Sequence, residues 1–300
     1  GQVHLQVQNQ RRATLLALVA VGLWSTVATA FKLSLRYLDP FQLLAYASMF
    51  ATLALVLGVW AKGRLAELWP HFRQQPQLFM LLGLLNPFIY YLVLFQAYDL
   101  LPAQQAQSIN YTWAITLGLL SIPFLHRPYG LRDGLGALLG YSGVVIIATR
   151  GDLLSLNLDS PPGVALALLS TLIWAMYWIL NTRMEADPLP GLSLCFLCGL
   201  PFTMAACAVF SGLAPLTTPG LLGAAYVGLF EMGITYVIWL MALKAAPNIA
   251  RISNLIFLSP FLSLILISTV LDEAIVPATL AGLALVLTGT LVQQLRRRNG

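Results

Sequence analysis

Ten stretches of about twenty mostly apolar residues follow one another along this chain, near 13–36, 41–61, 77–99, 103–125, 131–149, 162–183, 191–211, 219–243, 247–270 and 276–295. Each is long enough for a helix to cross the roughly 30 Å hydrocarbon layer of a bilayer. Charged residues make up only 9% of the 300, far below the roughly 25% with which soluble domains cover themselves. The surface is therefore expected to face lipid. Lipid offers backbone groups no hydrogen-bond partners, which leaves helices or a closed barrel. A barrel would show alternating strands of about ten residues, and this sequence lacks that alternation. The expected fold class is an all-α integral membrane protein with ten transmembrane helices.

Arg11 and Arg12 before the first apolar run resemble the start of a signal peptide. Nine further runs follow, so the first reads as a retained anchor. With the N-terminus inside, the inner ends and loops hold Arg11, Arg12, Lys62, Arg64, Arg73, Arg127, Arg132, Arg183, Lys244, Arg251, Arg296, Arg297 and Arg298. Only Lys32, Arg36 and Arg150 fall outside, a bias of 13 to 3 that predicts cytoplasmic N- and C-termini. The basic pI near 9.2 then reflects topology rather than nucleic-acid binding. Cys195, Cys198 and Cys207 all fall in the seventh run, with no second Cys or His cluster, and read as packed thiols. No metal or cofactor site is expected.

The chain also matches itself. Gly83, Tyr91, Ala97, Pro102 and Ser108 correspond to Gly228, Tyr236, Ala242, Pro247 and Ser253, each pair 145 residues apart. Trp24 answers Trp174 at an interval of 150, and Asp39-Pro40 and Asp187-Pro188 mark matching turns. Five helices per copy is an odd number, so the second copy enters the membrane from the opposite side. Secondary transporters commonly have this build, with substrate held near the midplane between the repeats. The expected divisions are a tail at 1–10, five-helix repeats at 11–150 and 151–295, and a basic tail at 296–300.

Trp24 with Lys32 in the first run, and Pro247…Ser253…Pro260…Asp272-Glu273 before a small-residue tenth run, resemble the drug/metabolite transporter superfamily, specifically the ten-helix EamA-type exporters. Pro102 followed by Ser108-Ile109-Asn110-Tyr111-Thr112-Trp113 is similar to the YddG-type amino-acid exporters within it. Two positions depart from the pattern: His126-Arg127 stands where the family usually has Gly-Glu, and Trp113-Ala114 where many members have a proline. The resemblance implies a multi-pass exporter in the bacterial inner (plasma) membrane, with amino acids as substrate.

Gly136-x-x-x-Gly140 and Gly143 in the fifth run, and Ala278-x-x-x-Gly282 and Gly289 in the tenth, suit close helix approach. These two helices read as scaffold, and their small-residue face as the alternative surface for a homodimer if the protein is not a monomer. Lining helices should instead carry mid-membrane polar and aromatic groups. Asn86 and Tyr90 are one turn apart in the third run, with Pro87 able to loosen the helix between them. In the fourth, Gln104, Gln107, Ser108 and Tyr111 recur at helical spacing, flanked by Asn110 and Trp113. Trp174, Trp178 and Asn181 do so in the sixth. The eighth carries Glu231, Thr235 and Tyr236, and the ninth Ser253, Asn254 and Pro260. The residues expected to bind substrate are Trp24, Asn86, Tyr90, Gln107 and Asn110, with Tyr111, Trp113, Trp174, Trp178 and Glu231.

Such a cavity would be aromatic and neutral-polar. A carrier of phosphorylated metabolites should present several inward Arg or Lys, and mid-membrane ones are lacking. Ring faces suit apolar side chains and can hold an ammonium. That fits neutral amino acids, above all aromatic ones, exported by alternating access. The alternative is a drug or toxic organic cation. A catalytic role would require a nucleophile–base pair or a metal set within the spans. No His lies in a span, and no Gly-rich phosphate-binding motif occurs. Lys32 lies close enough to the outer end of its helix to snorkel. Glu231 is about 12 residues from either end of its own, so the two differ in depth by roughly 12 Å and are not expected to pair.

Overall fold

In the structure, a computed structural model, residues 1–155, 158, 160–213, 216–247 and 254–299 are described, 296–299 by backbone alone. Arg251, the motif serine Ser253 and the side chains of Arg296, Arg297 and Arg298 lie outside the described residues. Among the described residues every regular element is helical and none is a strand. Eight helices among the described residues are long and apolar enough to cross a membrane. This is an integral membrane protein.

The chain enters through α1 (Gln2–Ser25) and α2 (Val27–Leu35), so the residues expected as a tail form the first turns of a helix. The break at Thr26 has a local cause. The Ser25 and Thr26 hydroxyls donate to the carbonyls of Val21 and Leu23, both at 2.6 Å, and such back-bonding competes with the helical ladder. Helix α3 (Pro40–Ala61) begins at the expected Asp-Pro turn. The Asp39 carboxylate accepts from the Gln42 amide at 2.8 Å, while Gln42 Oε1 accepts from the Asp39 amide at 3.1 Å. This reciprocal box satisfies amides that the first helical turn would leave orphaned. A short surface helix, α4 (Leu68–Gln74), follows.

The third span joins α5 (Pro76–Gly83) to α6 (Tyr90–Leu100) through a wide π-helical turn, Leu84–Ile89. Pro87 has no amide to donate there, and Asn86 is extended at φ −136, ψ 110. The fourth expected span is divided into α7 (Ala103–Asn110) and α8 (Trp113–Phe124). Neither piece alone has the length to cross a bilayer. At the break, the Thr112 hydroxyl turns back to the Ile109 carbonyl at 2.8 Å. Helices α9 (Leu131–Thr149), α10 (Pro161–Asn181) and α11 (Pro188–Phe210) follow. The eighth span repeats the form of the third: α12 (Thr218–Tyr226), a π-helical turn at Val227–Gly233, and α13 (Ile234–Ala245). Among the described residues the ninth expected span is a 3-10 turn, Asn254–Leu258, running into α14 (Ser259–Val270), shorter than the eight. The chain ends in α15 (Pro277–Asn299).

Two helix pairs tie the first part of the chain to the last. Helices α9 and α15 meet backbone to backbone. A Cβ built on Gly143 would stand 2.5 Å from the Gly282 carbonyl oxygen, and one on Gly136 2.7 Å from that of Gly289. Only glycine allows this approach. The small-residue face expected as scaffold is thus covered within the chain, which removes it as a homodimer surface. The other pair is α3 and α11. At one end Ser211 donates to Asp39, and Gln42 Nε2 reaches the Gly212 carbonyl at 3.4 Å. At the other, Arg64 donates to Asp187 at 2.7 Å and is paired with Glu67 at 2.6 Å.

Candidate functional site

Between these pairs lies a cavity of about 420 Å³, within the roughly 300–1,000 Å³ range of small-molecule sites. All ten residues expected to bind substrate line it: Trp24 from α1, Asn86 and Tyr90 from the third span, Gln107, Asn110, Tyr111 and Trp113 from the fourth, Trp174 and Trp178 from α10, and Glu231 from the eighth. The α10 pair is brought inward by its spacing of four, which puts both indoles on one face.

Trp174 is the centre of the wall. It stacks on Tyr90 with ring centroids 4.4 Å apart and on Tyr177 at 5.2 Å. Trp178 and Trp113 stand edge-on to it at 5.7 and 6.5 Å. Each such arrangement contributes about 0.5–1.5 kcal/mol beyond the area it buries. Opposite, Trp24 meets Trp239 at 5.5 Å. Phe31 closes one end of the cavity, packed edge-on against Phe95 at 4.9 Å and Tyr98 at 5.1 Å, all three buried. Trp113, Trp239, Leu240 and Leu243, also on the wall, keep part of their surface exposed.

Several polar groups of this wall are already engaged. Asn110 Nδ2 donates to Ser170 Oγ at 3.0 Å and Tyr90 Oη at 3.3 Å. Gln107 Nε2 donates to the Pro260 carbonyl at 3.2 Å, and Tyr111 Oη to Ser259 Oγ at 3.2 Å. These side chains both line the cavity and tie its helices together. Glu231 is half-buried in the π-helical turn and accepts from Tyr91 Oη at 3.3 Å.

Gln104 departs from its expected place. It turns away from the cavity, donating to Glu273 Oε1 at 2.9 Å and the Ala274 carbonyl at 2.8 Å, and accepting from the Val276 amide at 2.9 Å. Glu273 also accepts from the amides of Ala103 and Gln104, both at 3.1 Å, capping the start of α7. Ser108 and Thr235 are buried in packing, and Asn181, Asn254 and Pro260 lie off the cavity wall. Lys32 faces a separate hollow of about 330 Å³ with Arg36, Asp99 and Glu273. It does not meet Glu231.

Sequence reasoning missed Tyr91, Tyr98, Tyr177, Phe31 and Trp239 as wall residues. Two of the expected polar positions also obey the repeat. Asn86 and Glu231 are separated by 231 − 86 = 145 residues, the interval of the repeat. Both fall in a π-helical turn and both face the cavity.

The sequence profile of the EamA-like transporter family matches residues 11–149 and again 161–293. The chain is 23% identical over 290 residues to the uncharacterized transporter YvbV of Bacillus subtilis, covering 94% of this chain and 91% of that one. It is 26% identical over 277 residues to an uncharacterized transporter of Archaeoglobus fulgidus, covering 88% and 91%. With the aromatic amino acid exporter YddG of Ancylobacter novellus it shares 25% identity over 299 residues, covering 97% and 99%. One solved crystal structure superposes with a TM-score of 0.68 at 23% identity, covering 97% of this chain and 99% of the other.

Proposed function

This chain belongs to the EamA-like transporter family, and from that premise we propose that it is an inner-membrane exporter of aromatic and other neutral amino acids, working by alternating access through the aromatic cavity. As a transporter it acts on a small-molecule substrate from within the bilayer. The observation that carries the substrate reading is the wall itself. Tyr90 and Tyr177 stack on Trp174, Trp113 and Trp178 stand edge-on to it, and all five rings line a space fit for one small molecule. An aromatic or aliphatic side chain gains area burial against these rings, while the ammonium of the amino-acid head meets Glu231.

The scaffold reading extends this. Ten helices form two inverted repeats, 11–150 and 151–295, with both termini cytoplasmic. Support comes from the constant interval of 145, the family profile matching twice, the 13-to-3 basic bias, and the two π-helical turns at corresponding places. Movement between inward- and outward-open states would bend the third and eighth spans at those turns, while α9 with α15 and α3 with α11 stay fixed.

The experiment is counterflow of labelled amino acids in proteoliposomes. Trp113→Ala and Trp174→Ala should lower phenylalanine flux by up to about tenfold, the equivalent of one or two lost ring contacts. Alanine flux should change less. Phenylalanine flux at the wild-type rate in both folded variants would refute the assignment of this cavity.

A further inference from the structure

The cavity is unequally equipped for the two charged ends of an amino acid. Its one acidic wall residue, Glu231, has Tyr91 Oη as its hydrogen-bond partner among the described residues. The wall contains no Lys, Arg or His among the described residues, so no fixed cation balances this carboxylate. A lone carboxylate at mid-membrane depth is costly unless a cation or proton joins it. Glu231 shares this wall with the aromatic rings of Tyr90, Trp174, Trp178 and Tyr236. Aromatic faces together with a carboxylate form a strong receptor for an ammonium.

A substrate carboxylate finds neutral donors only, among them the Asn86 amide and the indoles of Trp24, Trp113 and Trp239. The Asn110 amide makes two bonds to protein acceptors, and the Gln107 amide and Tyr111 hydroxyl make one each. Trp178 Nε1 is buried without a partner and is a neutral donor. Glu231 repels a second carboxylate placed near it. The corresponding position in the first half is the amide Asn86, so only one of the two repeat-related positions carries a charge.

We propose that this site recognises its substrate through the ammonium and the ring, with the carboxylate dispensable, so that aromatic amines lacking a carboxylate are ligands alongside the amino acids. The proposal rests on the reading of this cavity as the substrate site. It places the ammonium at Glu231, the ring among the aromatic side chains of the wall and the carboxylate, when present, away from Glu231.

The test compares three probes with one skeleton: phenylalanine, phenethylamine and 3-phenylpropanoate. Binding to the detergent-solubilised full chain is read from tryptophan fluorescence, which avoids passive leakage of the amine through liposomes. Phenethylamine should bind at least as tightly as phenylalanine, and 3-phenylpropanoate about tenfold or more weaker, as expected when one partner of a desolvated charge pair is removed. Glu231→Gln, checked for monodispersity and wild-type melting, should weaken phenethylamine by a similar factor and bring the three probes together. The wild-type ranking stands even if that variant does not fold. Phenylpropanoate binding as tightly as phenylalanine, with the amine tenfold weaker, overturns the proposal. So does a folded Glu231→Gln that holds the amine unchanged. Amine binding lost in Glu231→Gln, with no phenylalanine binding at all, would uphold the ammonium site while refuting the amino-acid exporter. No binding by any probe refutes both.

Discussion

Replacing Gly143 with alanine adds one methyl group where α9 meets α15. The new Cβ would lie 2.5 Å from the Gly282 carbonyl oxygen, 3.1 Å from Leu285 Cβ and 3.2 Å from Val286 Cγ2. Ordinary contact begins near 3.4 Å, so the two backbones must part by about 0.9 Å at this level. A carbonyl oxygen in a helix cannot rotate aside as a side-chain tip can. A gap of that size forfeits a quarter to a half of each dispersion contact on either side, and overpacking of this kind costs about 1–3 kcal/mol. The same substitution at Gly22 in α1 meets no atom within 4 Å. There, only the helix-propensity gain of up to about 1 kcal/mol remains. That gain is common to both variants, so the difference between them isolates the clash. Thermal midpoints in one detergent, followed by the monodisperse peak after heating, should differ by roughly 2–12 °C, at about 2–4 °C per kcal/mol. Gly282→Ala, which meets the Gly143 carbonyl at 2.6 Å, should behave like Gly143→Ala. A Gly143→Ala protein melting at or above Gly22→Ala would show that the seam is looser than described.

Three further outcomes can be checked. Single cysteines at residue 70 should be labelled from the cytoplasmic side and at residue 212 from outside; external labelling at residue 70 would refute the orientation. Glu273→Gln keeps one acceptor but loses the charge that holds two amides and the Gln104 side chain. It should lower stability by about 1.5–3 kcal/mol, seen as a reduced melting midpoint, and Gln104→Leu should add little on top of it. The third concerns acid. The Arg64 hydrogen bond holds the Glu67 carboxyl below its ordinary value of 4.5. A depressed carboxyl contributes its stability above the unfolded value and loses it as pH falls through the folded one. The Arg64–Glu67 contact should therefore be intact at neutral pH and loosen below about 4.5. Proteolysis of the 62–75 loop should rise in that window, and in Arg64→Ala should be high at every pH.

Much of the architecture was legible because lipid imposes it. Apolar length marked the eight helices long enough to cross among the described residues, but not the division of the fourth expected span or the shortness of the ninth. Asp39-Pro40 and Asp187-Pro188 marked where α3 and α11 begin. The glycine seam was legible for the same reason, since small residues at spacings of three and four have few other uses in a lipid-facing helix. All ten candidate binding residues reached one cavity because mid-membrane polar and aromatic groups turn from lipid towards whatever space is inside. What could not be read was which of those polar groups is spent on structure. Gln104 and Gln107 share a helix and differ by three positions, yet one secures a loop through Glu273 and the other reaches the Pro260 carbonyl while lining the cavity. That choice depends on where Glu273 and Pro260 arrive, at sequence distances above 150. The missing wall residues, Tyr177 and Trp239 among them, were hidden by ambiguity, because an aromatic residue in a span is equally at home against lipid.

The seam between α9 and α15 also bears on how the protein comes to exist. Helix α9 is complete at Thr149, and its partner does not begin until Pro277, 128 residues later in synthesis. Throughout that interval the glycine groove of α9 is open to lipid or to any neighbouring helix with small residues. Assembly of the first half is thus held open until the last helix is inserted, and a chain released early carries an unfilled groove. Nascent chains ending near residue 270 should cross-link to other membrane helices through a cysteine at position 139, beside the groove, and full-length chains should not.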